Sequence, residues 1–378
     1  MLILEGTGGL CICFARVRSA DDVHSGGQLV FPKSEKSASA PGSSQPTPQA
    51  KRRALLVSTA NPYPIVTNGC ARLVHDYQVL MFPQYDIYFL LTRTGDWAPL
   101  QLFRQGQPID NGLQIRDLRA LDFAFVLFVG FKENKFTRQL AGLCSSFCLT
   151  DTYPHPDLPE VLFRGVLSHR VFEQHHDLLL VGGSYDSKVF HPLRKSEELI
   201  LSVGRIHPDK NQLQLLRSYR EAVFEPYGLP LYLAGGVDDL DYFEEVQRYV
   251  DGVAITSSID PDDPLAIGSW HSAQEIAQLC NRARLFVSAS PKESFGLAMI
   301  EAMACGTTCV VNGDYRGFLA SDLRPYVYGH ITGPQGSVVD LVAQALRDDV
   351  RINGSRWARR YSVSETRETL ARFIDERL

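Results

Sequence analysis

Short apolar runs alternate with helical patterns along the second half of the chain, and this alternation limits the fold more than any other feature. The apolar runs are ELILSVG (198–204), PLYLAGG (230–236), ARLFVSAS (283–290) and TTCVVNG (307–313). Ser272-Ala-Gln-Glu275 has the capping-box spacing that opens a helix before the third run. Strands that alternate with helices in this way predict a parallel sheet covered by helices.

The first half shows the same alternation less clearly. Its apolar runs are ALLVS (54–58), DIYFLLT (86–92), LDFAFVLFV (121–129), SSFCLT (145–150) and DLLLVGG (177–183). We expect one helix from Gly69 to about Leu80 and another over about 158–174. Residues 121–131 are apolar throughout, so they fit either a strand or a buried helix.

The length of 378 residues fits two such units better than one. We therefore predict an α/β fold with two Rossmann-like, doubly wound domains at 51–193 and 194–362, facing each other across a cleft, and a closing helix at 363–378. Residues 20–50 are rich in Ser, Pro and Ala, which cannot offset their ordering entropy by burial, so we expect a flexible tail at 1–50. The cleft is the first place to look for a ligand.

Charge and composition exclude several classes of protein. The net charge of -5 gives no overall attraction to nucleic acid or to anionic membranes. No apolar run reaches the length of about 20 residues that spans a bilayer, although peripheral membrane contact stays compatible with the sequence. The eight cysteines include no CxxC pair, which indicates reduced thiols in a cytoplasmic protein. Neither a GxxxxGK[ST] nor a GxGxxG motif is present, which argues against a P-loop NTPase or a dinucleotide dehydrogenase.

Three clusters have the composition of metal sites. The first contains His169, Glu173, His175, His176 and Asp177, and a solvated helix end explains these residues better than a ligand set. The other two are D-x-D patterns that begin at Asp239 and Asp260, in turn-like surface contexts. We predict no metal site.

The stretch ESFGLAMIE (293–301) places two carboxylates on either side of an expected helix start. If the helix begins near Gly296, the amides around it lack intrahelical acceptors and lie at the positive end of the helix dipole, where phosphate oxygens bind. Glu293 and Glu301 would repel a bare phosphate but could hold hydroxyls on each side of it, as a nucleotide sugar supplies. Taken alone, the pair fits two solvated helix-end residues equally well.

A second loop changes this balance. In SVGRIHPDKN (202–211) an expected strand ends at Gly204, and the loop then delivers Arg205 and Lys210 before the next helix. An arginine fork and a lysine point charge suit a diphosphate. They would also stabilise the charge that grows on the leaving group when a glycosidic bond breaks.

These residues together resemble a known family. The stretches GRIHPDKN, LYLAGG, SAQEIAQLCNRARLFVSASPKESFGLAMIEAMACGTTCVV and WARRYSVSETRETLARFIDERL are similar to the nucleotide-sugar half of family four glycosyltransferases, which have the GT-B fold. The resemblance covers about residues 198–378, and its E-x7-E element occurs together with the arginine and the lysine. LLLVGGSYDSKVFHP (178–192) resembles the usual link into this half.

The resemblance implies a role for each matched residue. Glu301 would hold the ribose hydroxyls and Glu293 the transferred sugar, while Arg205 and Lys210 would contact the diphosphate. Residues whose backbone would line the donor follow as a set: Phe295, Gly296, Leu297 and, at the base, Ser272 with its neighbours Trp270 and His271. The family retains anomeric configuration and needs no metal or other cofactor beyond its nucleotide-diphosphate sugar donor. Its closing helix commonly packs back on the first domain.

The first half matches the family weakly. Gly69 resembles the glycine whose amide approaches the donor, although Asn68 replaces the usual second glycine. Family members often carry a histidine near the sugar after a later strand, and here Asp151 and His155 lie at about that point. Either could face the sugar, or both could be loop residues. The acceptor is usually chosen by this half, so its identity stays open.

Three functions follow from these observations. The first is a retaining glycosyltransferase that moves a hexose from a UDP-, GDP- or ADP-sugar to a hydroxyl of a glycan, lipid or small molecule. The second keeps the scaffold for a GT-B epimerase or phosphorylase, and nothing in the sequence marks the pyridoxal-phosphate lysine that a phosphorylase needs. The third is a non-catalytic scaffold, against which the presence of all four charged donor-site residues argues.

Overall fold

The structure is a computed structural model of the chain. It describes residues 51–58, 69–92, 101–110, 115–129, 135–150, 161–166, 179–180, 183–194, 196–250, 258–260, 263–264, 272–291, 293, 295–313, 322–329 and 337–378. The predicted tail at 1–50 lies outside these residues.

Eight strands form the sheet of the amino-terminal half. They are β1 (Arg53–Ser58), β2 (Asp86–Leu91), β3 (Gln101–Arg104), β4 (Gln107–Asp110), β5 (Phe123–Val129), β6 (Ser146–Thr150), β7 (Val161–Val166) and β8 (Leu179–Leu180). Their spatial order is β4-β3-β2-β1-β5-β6-β7-β8. The six strands from β2 to β8 in this order are parallel, and the β3–β4 hairpin adds an antiparallel edge.

Helices connect these strands. They are α1 (Gly69–Asp76), which continues as a π-helical turn at Tyr77–Met81, α2 (Ile115–Arg119) and α3 (Lys135–Ala141). The central strands β1 and β5 are buried along almost their whole length. Burial on both faces explains why these strands are apolar throughout instead of alternating.

The carboxyl-terminal half contains a smaller, fully parallel sheet. Its strands, with a separate antiparallel pair β11–β12, are β9 (Leu199–Val203), β10 (Leu231–Ala234), β11 (Ser258–Asp260), β12 (Asp263–Pro264), β13 (Ala283–Ser288) and β14 (Thr308–Val311). The spatial order of the sheet is β10-β9-β13-β14. Strand β9 thus lies between the next strand in sequence and a later one, so the order reverses beside it.

Eight helices accompany this sheet in the described residues. They are α4 (Gln212–Leu216), α5 (Glu225–Tyr227), α6 (Leu240–Val250), α7 (Ala273–Arg282), α8 (Leu297–Ala304), α9 (Val338–Arg347), α10 (Ser355–Ala358) and α11 (Val363–Asp375). Shorter turns are the 3₁₀ turns Pro208–Lys210, Arg324–Tyr326 and Arg359–Tyr361 and the π-helical turn Arg220–Phe224. The predicted capping box is confirmed, because Ser272 Oγ accepts from Glu275 N and Glu275 Oε2 accepts from Ser272 N.

The last helix, α11, packs on the first sheet. Leu370 and Ile374 are buried in the same apolar cluster as Tyr77 and Phe125. Arg367 Nε also donates to the carbonyl oxygen of Leu80 at 2.8 Å. Apolar burial and this hydrogen bond therefore tie the end of the chain to the amino-terminal half.

Two local predictions are corrected by the structure. Residues 161–166 form strand β7, not part of a helix over 158–174, because they pair with both β6 and β8. Residues 101–110 form the hairpin β3–β4, which the pattern analysis did not predict. The open choice at 121–131 is settled for 123–129, which form the central strand β5. In each case pairing with neighbouring strands decides the local structure.

Two further observations concern the length of apolar helices and the cysteines. No helix among the described residues is both long and apolar enough to cross a bilayer. Cysteines 144, 148, 280, 305 and 309 are free thiols.

Candidate functional site

The carboxyl ends of β9 and β13 lie side by side in the second sheet. Leu201 of β9 is the register partner of Phe286 of β13. The loops that follow these strands therefore start next to each other, at the position where strand order reverses. Open parallel sheets bind their ligands at this position.

Helix α8 begins at the end of the loop that follows β13. Gly296 is its N-cap residue, with a left-handed backbone (φ 80°, ψ 47°) and no capping side chain. The first intrahelical hydrogen bond of this turn runs from Ile300 N to Gly296 O at 3.2 Å. The amides before Ile300 thus lack intrahelical acceptors and lie at the positive end of the helix dipole, as an anion seat requires.

The side chain of Phe295 anchors this turn from below. It is buried, and its ring lies edge-on to the ring of Tyr361, with the centroids 4.9 Å apart. Gly183 closes the other side, because a Cβ atom there would lie 3.3 Å from Leu297 Cδ1 and 3.4 Å from Phe295 Cδ1. Packing therefore fixes the backbone whose amides face the cleft.

Lys210 and Glu293 form an ion pair between the two loops. The backbone around them is cross-linked as well, because Ser290 Oγ donates to Asp209 O at 3.1 Å. Asn312 Nδ2 adds a bond to Ala289 O at 3.1 Å. The loops after β9 and β13 thus act as one unit, and the lysine neutralises a carboxylate that would otherwise repel phosphate.

Arg205 forms an ion pair with Asp238. Asp238 follows β10, and the sequence analysis did not identify it. The sequence does show an acidic residue shortly after a predicted strand. That this residue pairs with Arg205 depends on β10 lying beside β9, which the sequence does not show. Arg205 is further held through its carbonyl oxygen, which accepts from Gln212 Nε2 at 2.6 Å.

Glu301 lies in the second turn of α8 and is 6% exposed. It also lines the cleft described below. The carboxylate of Glu301 lies close enough to Cys280 to affect its thiol. The pKa of that thiol is raised well above its ordinary value, mainly by a hydrogen bond with Cys305, next by burial, and further by the charge of Glu301. Glu301 thus reaches the cleft from a largely buried position, which restricts its orientation.

A cleft of about 560 Å³ joins these elements. Its second-domain wall contains Arg205, Lys210, Glu293, Gly296, Leu297 and Glu301, together with Ser272 and Gln274. Helix α1 and the turn after it contribute His75, Asp76 and Leu80 from the first domain, and the link between the domains contributes Asp186 and Val189. A cleft of this volume accommodates a small-molecule ligand.

The sequence analysis also missed His75 and Asp76, at the carboxyl end of α1. His75 Nδ1 lies 3.3 Å from Asp76 Oδ1, and Asp76 is buried while His75 is partly exposed. No motif marks these residues, since an adjacent His-Asp pair is usually a surface feature of a helix. Only the position of α1 against the second domain places them in the cleft.

Six other residues that the sequence analysis proposed for the donor site remain to be placed. Ser272 lines the cleft, but its hydroxyl and its amide are both engaged in the capping box, and its carbonyl oxygen accepts from Ile276 N at 3.1 Å. Gly69 is the first residue of α1. Asp151 and His155, like Trp270 and His271, lie outside the described residues.

Two of the three candidate metal clusters lie at least partly within the described residues. Among the described residues, no group of three or more His, Cys, Asp or Glu side chains could hold a metal ion. The cluster from His169 to Asp177 lies outside them. Positive charge in the described cleft comes from Arg205 and Lys210.

Comparison with known proteins gives partial matches to curated sequences. A mannosyltransferase of Dictyostelium discoideum named "GDP-Man:Man(3)GlcNAc(2)-PP-Dol alpha-1,2-mannosyltransferase" is 27% identical over 148 residues, which is 34% of this chain and 29% of that protein. "Alpha-monoglucosyldiacylglycerol synthase" of Streptococcus pneumoniae is 28% identical over 131 residues, which is 34% of this chain and 28% of that protein. The match thus spans less than a third of either relative.

The structural likeness is more extensive. "Sucrose-phosphate synthase" from Thermosynechococcus elongatus matches with a TM-score of 0.60 and 14% identity, over 86% of this chain and 99% of that one. At this identity the likeness establishes the fold alone, and it confirms the predicted two-domain α/β architecture of the GT-B type.

The family model matches a shorter segment. It is described as "Glycosyl transferases group 1" and covers residues 186–358. This segment contains β9, β10, β13 and α8, and hence every second-domain residue of the cleft. The description of the model and the names of the curated relatives all denote transferases or a synthase that attaches a sugar. Residues 186–358 therefore match the glycosyl transferases group 1 model, within a chain that has a GT-B fold.

Proposed function

We propose that this protein is a retaining glycosyltransferase that transfers a hexose from a nucleotide-diphosphate sugar to a hydroxyl acceptor. One observation supports this most: two cations, two carboxylates and the amino terminus of a helix converge on a single cleft. A diphosphate needs the cations and the amides. The hydroxyl groups of the ribose and of the transferred sugar, on either side of the diphosphate, need carboxylates as hydrogen-bond acceptors. Few other ligands use all of these groups.

The donor would be held from its two ends. Arg205 and Lys210 bind the diphosphate together with the amides of the Phe295–Leu297 turn. Glu301 accepts hydrogen bonds from the ribose hydroxyls, and Glu293 from those of the transferred sugar. Arg205 and Lys210 supply the positive charge that stabilises the leaving group, so the proposed reaction requires no metal.

The chemical step follows from this arrangement. The bond between the anomeric carbon and the phosphate oxygen breaks, and the acceptor oxygen forms a bond to the same face of that carbon. A phosphate oxygen of the leaving group takes the proton of the acceptor hydroxyl. On the first-domain side, His75 and Asp76 line the cleft. Asp151 and His155 are the first-domain candidates for contact with the transferred sugar.

The relatives narrow the choice of sugar. The names of two curated relatives mention GDP-mannose as donor, or a glucosyl lipid as product. We infer that mannose and glucose are the first hexoses to test, with lipid-linked and glycan hydroxyls as acceptors. Contact with a membrane surface would follow from a lipid acceptor and does not require a spanning helix.

Ligand binding and hydrolysis test the proposal. A thermal-shift panel of UDP, GDP, ADP and their glucose and mannose esters should raise the melting temperature for one nucleoside, because ligands that bind the native state stabilise it. Donor hydrolysis by the wild-type protein should then be abolished by Arg205→Ala or by Glu301→Ala. If no nucleotide shifts the melting temperature, the result contradicts the proposed enzyme and favours a non-catalytic scaffold. Unchanged turnover in either variant would refute that residue's role.

A further inference from the structure

Asp238 has no role in the function proposed above, yet it holds one of the donor-binding cations. Its Oδ2 atom pairs with Nη1 of Arg205. Asp238 is absent from the described residues that line the cleft, whereas Arg205 belongs to them. The carboxylate thus contacts the arginine from outside the ligand space.

The backbone keeps Asp238 at a fixed distance from Arg205. Ile206 N donates to Gly236 O at 2.8 Å, and Asp238 N donates to Ile206 O at 3.2 Å. These bonds extend the pairing of β9 with β10 past the ends of both strands. Ile206, the residue after Arg205, is therefore hydrogen-bonded through its backbone to Asp238. The backbone positions of Arg205 and Asp238 are thus fixed relative to each other.

A glycine makes this approach possible. Gly235 has a positive φ of 153°, and a Cβ atom there would overlap the carbonyl oxygen of Gly204. Close contact between the two strand ends brings the loop after β10 beside the loop after β9. Residue 235 must be glycine for Asp238 to lie where it does.

Arginine chemistry shows what the contact achieves. A guanidinium group has five N–H donors in a planar fork, so one carboxylate contact at Nη1 leaves the other nitrogens available to an anion. An exposed arginine without a partner samples many rotamers, and ordering it upon ligand binding costs free energy. The side chain of Arg205 is 31% exposed, so an anchor would reduce that cost.

We propose that Asp238 is a positioning residue that orients Arg205 toward the donor diphosphate. The inference rests on the function proposed above. Asp238 touches neither donor nor acceptor and acts through Arg205 alone. Its removal should weaken the binding of nucleoside diphosphate and also slow the chemical step, because the same guanidinium stabilises the charge on the leaving diphosphate.

The test compares three variants with a matched control. We expect Asp238→Asn and Asp238→Ala to raise the Kd of the nucleoside diphosphate by roughly three- to tenfold and to lower the kcat/KM of the donor by at least the same factor. Asp238→Glu should restore part of the affinity. Asp241→Asn removes an exposed carboxylate from the next turn of the same segment, and it should leave both constants unchanged.

A double-mutant cycle separates orientation from a general loss of structure. In an Arg205→Ala background, Asp238→Asn should have no further effect on Kd, because Asp238 acts only through the side chain of Arg205. An equal loss in both backgrounds would overturn the inference, and so would tighter binding by Asp238→Asn alone, which would mean that Asp238 competes with phosphate. If the wild-type protein binds no nucleotide, the proposed function fails. If the wild-type protein binds a nucleotide and Asp238→Asn binds it with the same Kd, only this inference fails.

Discussion

Lys210 and Glu293 lie 83 residues apart in the chain and form an ion pair at the carboxyl edge of the second sheet. Their side chains are 23% and 22% exposed, so solvent screens the pair only in part. The contact joins the residue proposed for the diphosphate to the residue proposed for the sugar. It also explains how a carboxylate can lie beside an anion seat without repelling the anion, because the lysine offsets its charge.

Lys210→Ala should weaken nucleoside diphosphate binding by about ten- to a hundredfold. The variant loses one charge-assisted hydrogen bond to phosphate and exposes the donor to the carboxylate of Glu293. Isothermal titration calorimetry with the nucleotide identified in the thermal-shift panel measures the change. In Lys210→Ala/Glu293→Gln, affinity should recover in part because the repulsion is gone.

Lys188→Ala is the control for this prediction, because it removes another exposed lysine shortly before β9. It should bind the nucleotide as the wild-type protein does. If the double variant binds no better than Lys210→Ala, the carboxylate does not oppose the phosphate, and the ion pair has no role in the electrostatics of the site.

Gly235→Ala should destabilise the second domain by about 1–3 kcal/mol, as overpacking does elsewhere. The new methyl group meets the backbone of Gly204, which cannot rotate out of the way as a side chain can. Urea unfolding monitored by circular dichroism gives the change. Gly228→Ala is a matched control, since Gly228 also has a positive φ of 66° but has open space around its Cβ position. A loss in Gly228→Ala as large as that in Gly235→Ala would show that backbone strain and not the close approach is responsible.

Local sequence patterns predicted most of the second domain. The four apolar runs become β9, β10, β13 and β14, and the capping box opens α7. The start of α8 after Gly296 was also predicted, because an apolar helix after a glycine-containing loop leaves little choice. These features depend on neighbours in sequence, which is why the sequence alone reveals them.

Features that depend on distant neighbours were not predicted. Strand β7 has the residues of a helix or a strand, and pairing with β6 decides between them. Asp238 could be recognised only after β10 was known to lie beside β9. In the same way, the sequence supplied Lys210 and Glu293 as separate candidates, but their contact follows from the order of strands in the sheet.

His75→Gln should lower the rate of sugar transfer by roughly tenfold or more while nucleoside diphosphate affinity stays unchanged. His75 lines the cleft from the first domain, opposite the donor side, and its Nδ1 atom lies beside the buried Asp76 carboxylate. A group placed there can orient the acceptor hydroxyl, and this effect does not bear on nucleotide binding. The measurements are kcat with a hydroxyl acceptor and the Kd of the nucleotide.

Val79→Ala is the control for His75, because Val79 lies one helical turn further on and is 58% exposed. It should leave both quantities unchanged. A loss of nucleotide affinity in His75→Gln without a loss in kcat would place the histidine at the donor and contradict the assignment.

Asp349→Asn should destabilise the protein near neutral pH, and the difference from the wild-type protein should narrow as the pH falls below about 4. A hydrogen bond from Arg351 lowers the pKa of Asp349 from its ordinary 3.8, and Arg284 adds to the effect. Because the folded-state pKa is lower than the unfolded one, the ion pairs stabilise the fold above pH 3.8 and lose this contribution as the carboxylate is protonated. Asparagine tolerates the positive φ of 44° at this position, so the backbone adds little to the change. Urea unfolding across the acid range, with Asp348→Asn as the neighbouring control, measures the difference; a gap of constant size at every pH would exclude the charge of Asp349 as its cause.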